Sequence, residues 1–378
     1  MLNPQEIATV TAQGQNYKFW ESVEVHREFG RPVSMMTLSV AETAQVSAEA
    51  LSWTSLKLNV GDPIQGYLAG NLVLSGTVTV RQTAYDREGH GVQIVATGYG
   101  LAVVKSTVSA SPGQYIGYNL QQIAQAVCQQ VGCNFVLSGN LPGAEKVFPR
   151  VSEHPGEPMF QFIERLARMR DIHIRDDENG NLVGTRGTAG GSIATLVEGQ
   201  NILSARVILT DQNAAKTLST IGANIGGSST GVWGDTCRDI KVTAQNPTYN
   251  GRGQITVTAE QPCDVTDAVM RNQHEVAQNA LTQVDCEVTV RGWLMDDGSL
   301  WIAHLGEPVT VYSPMAFPTD SMQLWLKGVR HRQENDTGTT TVLSLCLPNG
   351  LSVEGISATS GDNADSVFPG IPGPSVAD

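Results

Sequence analysis

The chain has 378 residues, 40% of them apolar and 16% charged, with 39 glycines and a net charge of −13. This profile argues against a disordered chain, and an acidic balance without any Lys/Arg block argues against specific or tight nucleic-acid binding. Apolar runs of a few residues fall far short of the roughly 20 needed to span a bilayer, no basic-then-apolar leader is read in residues 1–17, and the length predicts two to four domains.

Residues 1–105 read as a first antiparallel β-barrel-like domain. Val23 and Val25 alternate with polar residues, as do Met36, Leu38 and Val40, and then Leu56, Leu58 and Val60 up to the Gly61-Asp62-Pro63 turn. The run from Gly76 to Gln82 predicts Val78 and Val80 on one face.

Residues 106–195 change period and read as an inserted α/β domain. Leu120, Ile123, Ala124, Val127, Cys128 and Val131 fall on one helical face, with Asn119 as N-cap and Gly132 as stop. A second helix follows Glu157-Pro158, with Pro158 suited to its first turn and Phe160, Ile163, Leu166, Ala167 and Arg170 along one face. Ile172-His173-Ile174 then alternates as a strand, and Asn179-Gly180 predicts a type I′ hairpin into Leu182-Val183. Gly187 to Ser192 reads as a linker or exposed turn.

Residues 196–235 and 287–350 read as a second β-barrel-like domain, opening at Ile202 to Leu209 and interrupted by a helix-containing insertion at 236–286. That insertion carries a helix from about Val265 to Leu281, capped by Asp264 or Thr266. Glu287 to Trp293 predicts a strand, Asp296-Asp297-Gly298 a turn, and Leu300-Trp301-Ile302 its continuation in β structure. Residues 351–378, rich in Pro, Gly and Ser without periodicity, read as a flexible tail. The fold class is therefore β-rich α+β: two similar antiparallel β-barrel-like domains, an inserted α/β domain and a helical excursion.

The two β domains share a pattern. Val60-Gly61-Asp62-Pro63-Ile64, Leu72 to Gly76, a turn at Asp86 to Gly91 and Val92 to Ala96 return near the other end. There they read Leu305-Gly306-Glu307-Pro308-Val309, Leu324 to Gly328, a turn at Asn335 to Gly338 and Thr341 to Leu345. One chain with two copies of a module presents six similar modules when tripled, which suits an adaptor between six-fold and three-fold parts.

Chemistry is hard to find in the pattern. The seven histidines stand singly at 26, 90, 154, 173, 274, 304 and 331 in no zinc-binding spacing. Asp176-Asp177-Glu178-Asn179-Gly180 is similar to a calcium loop, but Arg175 and Arg186 occupy positions one and twelve, where carboxylates are required. Glu153/Glu157 and Asp296/Asp297 have no reason in the sequence to face one bond as a glycosidase pair, and Trp293, Trp301 and Trp325 fit core packing on strands. The six cysteines at 128, 133, 237, 263, 286 and 346 form no C-x-x-C pair and read as buried, reduced thiols of a protein made in a cytosol. No catalytic residue, cofactor site or metal site is nominated.

Three stretches carry a family resemblance: Glu157 to Arg168 with Asp176-Asp177 and Gly180 to Val183; Val290 to Trp293 with Asp297 to Trp301, Val309 and Val311 to Pro314; and Gly338 to Leu345 with Pro348. In their order and spacing the chain resembles the Mu-type baseplate hub proteins of contractile-tailed bacteriophages, the tail protein P family; residues beyond Gly350 do not match. The resemblance implies a virion protein, made in the bacterial host cytoplasm. It implies a homotrimer whose two domains per chain form a pseudo-hexameric ring joining the hexameric tail tube, the trimeric spike and other baseplate proteins. DNA would pass without being specifically bound, and no part would span a membrane. Two other readings stay open: a type VI secretion spike-like hub, which normally continues into a long β-helical spike beyond this chain's length, and a polysaccharide-binding module or glycan hydrolase.

Overall fold

The computed structural model describes residues 6–18, 20–43, 58–85, 89–109, 113–225, 239–335, 337–351 and the backbone of 359–360. The first module holds β1 (Ala8–Ala12), β2 (Gln15–Tyr17), β3 (Ser22–Glu28), β4 (Met35–Thr43), β5 (Pro63–Leu68), β6 (Asn71–Tyr85) and β7 (Gly89–Gly98). Alternation explains these strands: Val23, Val25, Met36, Leu38, Ile94 and Ala96 are buried while their neighbours face outward. Leu58 is also buried, but residues 58–60 form no strand and Val60 sits exposed in the turn; Leu56 lies outside the described residues. Val78 and Val80 do not share a face, because a β-bulge between them turns Val78 inward and leaves Val80 46% exposed.

The inserted segment follows with α1 (Leu101–Lys105), β8 (Gln114–Tyr115), α2 (Leu120–Gln129), β9 (Phe135–Leu137), β10 (Val151–Ser152), α3 (Met159–Arg168), β11 (His173–Asp176) and β12 (Leu182–Thr185). Asn119 caps α2 through a full capping box with Gln122, and Gly132 takes the positive φ that ends the turn. Pro158 is the N-cap of α3, one position earlier than a first-turn proline. The β11–β12 turn is not a two-residue I′ turn. Asp177 Oδ1 accepts from the backbone N–H of Asn179 and Asn181, and of these loop residues only Gly180 has positive φ. The aspartate side chain thus supplies the turn geometry that a second positive φ would have given.

The chain then forms β13 (Thr195–Val197), β14 (Ile202–Leu209), β15 (Thr217–Gly222), β16 (Ile240–Gln245), β17 (Gln254–Thr258) and α4 (Val265–Leu281). Asp264, not Thr266, caps α4, accepting from the Asp267 N–H. It returns through β18 (Val284–Arg291), β19 (Pro308–Tyr312), β20 (Ser321–Glu334) and β21 (Gly338–Cys346). Trp301 and Ile302 lie in a 3-10 helix, Trp301–His304, rather than a strand, and Trp293 follows β18 after Gly292 at φ +80°. All three tryptophans, Trp325 included, are buried as core residues. The expected flexible tail falls outside the described residues except for β22 (Thr359–Ser360), whose backbone adds antiparallel to the edge of β16.

A single 13-stranded sheet runs through both modules, and neither closes into a barrel among the described residues. One apolar core underlies both, from Ala8 to Leu351. A second core joins α2, α3 and β11 to Ile240, Val242, Cys263 and Ala268, so the two excursions pack on each other. The five described cysteines are free and buried; Cys237 lies outside the described residues.

Candidate assembly interface

The two modules repeat each other strand for strand. In the first the hydrogen-bonded order is β3-β4-β7-β6-β5-β1; in the second it is β14-β18-β21-β20-β19-β13. Bulges interrupt both long meanders at the same place, between Val78 and Val80 and between Leu326 and Gly328. The backbone around them agrees: Gly61 donates to Val78 O and Val78 to Asp62 O, as Gly306 donates to Leu326 O and Leu326 to Glu307 O. Val78 is therefore the counterpart of Leu326. Gly76 matches Leu324, four residues short of the Gly328 that the sequence pattern pairs with it. The repeat departs at its rim, where β1 meets β5 antiparallel and β13 meets β19 parallel, and in irregularities at Gly66/Tyr67 and Ile202/Ser204 that each occur in one module.

Between the modules lies a junction. β3 pairs antiparallel with the distal half of β20, with Val329 opposite Arg27, His331 opposite Val25 and Gln333 opposite Val23. Val23, Val25, Arg27, Val329 and His331 are buried there. On the outer face Glu24 meets Arg332 at 2.8 Å and Arg330 at 3.6 Å. Such half-exposed pairs contribute about 0–1 kcal/mol each, so apolar burial and the backbone ladder hold the junction.

The ladder gives each junction strand a counterpart. Through β4 and β18, Val23 corresponds to Ala205, Val25 to Val207 and Arg27 to Leu209; through β7 and β21, Val329 corresponds to Arg81 and His331 to Thr83. On the side that matches the junction, those counterparts have no strand against them among the described residues. Leu209 is 47% exposed and Leu203 57%, although an isolated apolar edge strand is an invitation to pairing. Of the positions buried in one module's junction, the counterparts Ala205, Leu209 and Thr83 are exposed in the other and Val207 and Arg81 half-buried.

His331 gives the junction a pH dependence. Its Nδ1 lies 2.8 Å from Thr341 Oγ1, and burial, aided by Arg27, pushes its pKa from 6.5 down to about 3. A lowered folded pKa means the unfolded state binds the proton first, so stability is lost as pH falls from about 6.5 toward 3. At pH 5 this one group costs about 2 kcal/mol. Urea unfolding of the wild type and His331→Gln at pH 7 and pH 5 should show a pH penalty smaller by about that amount in the variant.

Three of the four carboxylates considered for glycan chemistry are held in local contacts. Glu153 accepts from Tyr115 Oη at 2.9 Å, Glu157 pairs with Arg165 at 2.8 Å, and Asp297 accepts from Ser299 within its turn. Asp176 is not a turn residue only: it is fully buried and accepts from the Ser34 N–H and Oγ, each at 2.6 Å, beside Arg27. That tie between the inserted segment and β3–β4 is invisible in sequence because 142 residues separate its ends.

Comparison with known proteins agrees with this architecture. Residues 7–98 match the family described as the Mu phage baseplate assembly protein GpP-like N-terminal domain, and residues 95–186 the second domain of the gp44-like baseplate hub protein. The baseplate hub protein gp44 of Escherichia phage Mu is 22% identical over 307 residues, covering 79% of this chain and 77% of that one. A 43 kDa tail protein of prophage MuSo2 from Shewanella oneidensis superposes with a TM-score of 0.77 at 19% identity, over 92% of this chain and all of that one. An E. coli component of the type VI secretion system gives 0.53 at 11% identity, over 90% and 76%. These structural likenesses establish a fold common to both kinds of assembly.

Proposed function

We propose that this chain, which carries the first two domains of the Mu-type phage baseplate hub proteins and shares their fold beyond them, assembles as a homotrimer. In it, β14 of each copy adds to the distal half of β6 of the next. The reading rests on one observation: positions buried between β3 and β20 have counterparts on β14 and β6 that are exposed at Ala205, Leu209 and Thr83 and half-buried at Val207 and Arg81. Transferring the register predicts Arg81 opposite Leu209, Gln82 opposite Ile208 and Thr83 opposite Val207 across the subunit boundary. Three intrachain and three interchain junctions would then close six quasi-equivalent modules into a ring.

In this reading residues 1–105 and the paired segments 196–235 and 287–350 are the two tube-facing domains, offering six similar surfaces to a hexameric tail tube. The insertions at 106–195 and 236–286 occur once per chain and supply the three-fold face for a trimeric spike and other baseplate proteins. The role is structural rather than catalytic, in the virion tail, after synthesis in the host cytoplasm. The polar sheet face pairs its charges, Glu24 with Arg332 and Arg206 with Glu287 at 3.9 Å, which favours passage of DNA over its retention. The shared fold keeps a type VI secretion hub as the second reading; the Mu-type domain matches favour the phage tail.

Disulfide trapping tests the register. Adjacent antiparallel pairs alternate between hydrogen-bonded and closer non-hydrogen-bonded geometry, so Thr83→Cys with Val207→Cys and Gln82→Cys with Ile208→Cys cover both. Oxidation of one or the other should give a covalent ladder that stops at three chains. Folded protein that stays monomeric on denaturing gels in both variants would overturn the proposed pairing.

A further inference from the structure

The sequence offers no metal-binding spacing, yet the fold brings Asp171, His173 and His274 together from positions up to 103 residues apart, with ligand atoms within 4.8 Å of one another. Asp171 ends the α3 turn, His173 opens β11 and His274 lies midway along α4. All three side chains are buried. Asp171 Oδ1, His173 Nε2 and His274 Nδ1 are each buried without a hydrogen-bond partner. An unsatisfied buried polar atom costs about 1–3 kcal/mol, and three converging on one point ask for a common partner.

We propose that these three residues bind a divalent first-row transition metal, Zn²⁺ being the best fit, which pins the inserted segment to α4. Two imidazoles and one carboxylate are a zinc-type donor set with one open position. Room for a water there comes from the adjoining cavity, lined by His173, His274, Phe29 and Arg271.

The surroundings suit the site. Arg186 Nε lies 3.4 Å from Asp171 Oδ2 and donates to the Asp171 carbonyl, holding the outer carboxylate oxygen and leaving Oδ1 to the histidines. The rings of His173 and His274 lie 4.9 Å apart at 37°, and Phe29 abuts His173. The other arginines nearby are neutralised by their own partners, Arg271 by Glu260 and Glu275, and Arg168 by Glu164. Asp171 keeps a positive φ of 51°, a conformation that a glycine would adopt more cheaply.

This site is independent of the ring and is tested on the full chain. Protein stripped with EDTA and titrated with Zn²⁺ should take up one ion per chain and melt at a higher temperature when loaded. Asp171→Asn should weaken uptake at least tenfold and His274→Gln should abolish it. X-ray absorption of the zinc-loaded wild type, which does not depend on either variant folding, should show a shell with two imidazoles. No zinc uptake by stripped wild type at micromolar concentration, equal uptake by both variants, or a shell without imidazole would overturn the assignment.

Discussion

The double substitution Val207→Lys and Leu209→Lys should convert the proposed trimer to folded monomer. Both positions lie on the free edge of β14, and their counterparts Val25 and Arg27 are buried between β3 and β20. In the proposed register the ammonium introduced by Leu209→Lys would face Arg81, a like-charge pair directly across strands. The one introduced by Val207→Lys would be enclosed opposite Thr83. An uncompensated buried charge costs about 3–5 kcal/mol, enough to weaken each interface about a thousandfold. Edge lysines are also a common device for blocking strand addition. Circular dichroism should be unchanged, because Leu209 is half exposed in the single chain. Val25→Lys, at the matching intrachain position, should instead prevent folding. Retention of the trimer by the double lysine variant would mean that β14 is not the subunit contact.

Asp176→Ala should destabilise the chain by about 3–5 kcal/mol. The carboxylate is completely buried, and its removal leaves Arg27, itself buried, with Ser34 Oγ at 2.9 Å, Val73 O at 2.6 Å and the half-exposed Glu178 carboxylate at 3.9 Å. The Ser34 N–H and hydroxyl lose their acceptor as well. Burial raises the Asp176 pKa against the opposing pull of Arg27 and Ser34, so Asp176→Asn, which keeps one acceptor without the charge, should lie between wild type and alanine. Equilibrium urea unfolding measures the series. A loss below about 1 kcal/mol for alanine would show that the tie does not hold the inserted segment to the first module.

Local signals carried much of this fold. Gly61-Asp62-Pro63 and Gly306-Glu307-Pro308 mark the same turn before β5 and β19, and the turn determines the hairpin that follows. Capping chemistry at Asn119 and Asp264 places α2 and α4 for the same reason: the decisive contacts span three residues. Long-range features were hidden. The bulges after Val78 and Leu326 leave no mark in composition, and the true match of Gly76 to Leu324 lies four residues from the one the glycines suggest. The exposure of Leu203, Ile208 and Leu209 was equally hidden, because an apolar strand looks alike in sequence whether it faces the interior or a partner. Trp301 keeps a strand-like residue type, but its carbonyl neighbours close 3-10 turns after the Asp297 loop. The Asp171–His173–His274 cluster and the Asp176–Ser34 tie depend on tertiary contact alone.

Light scattering of the purified chain over a wide concentration range addresses the closed ring most directly. Three times the 40.3 kDa chain mass, with no higher species as concentration rises, is the expected result, since a closed ring leaves no edge for a fourth copy. A mass of one chain at every concentration, or open-ended growth past three, would contradict it.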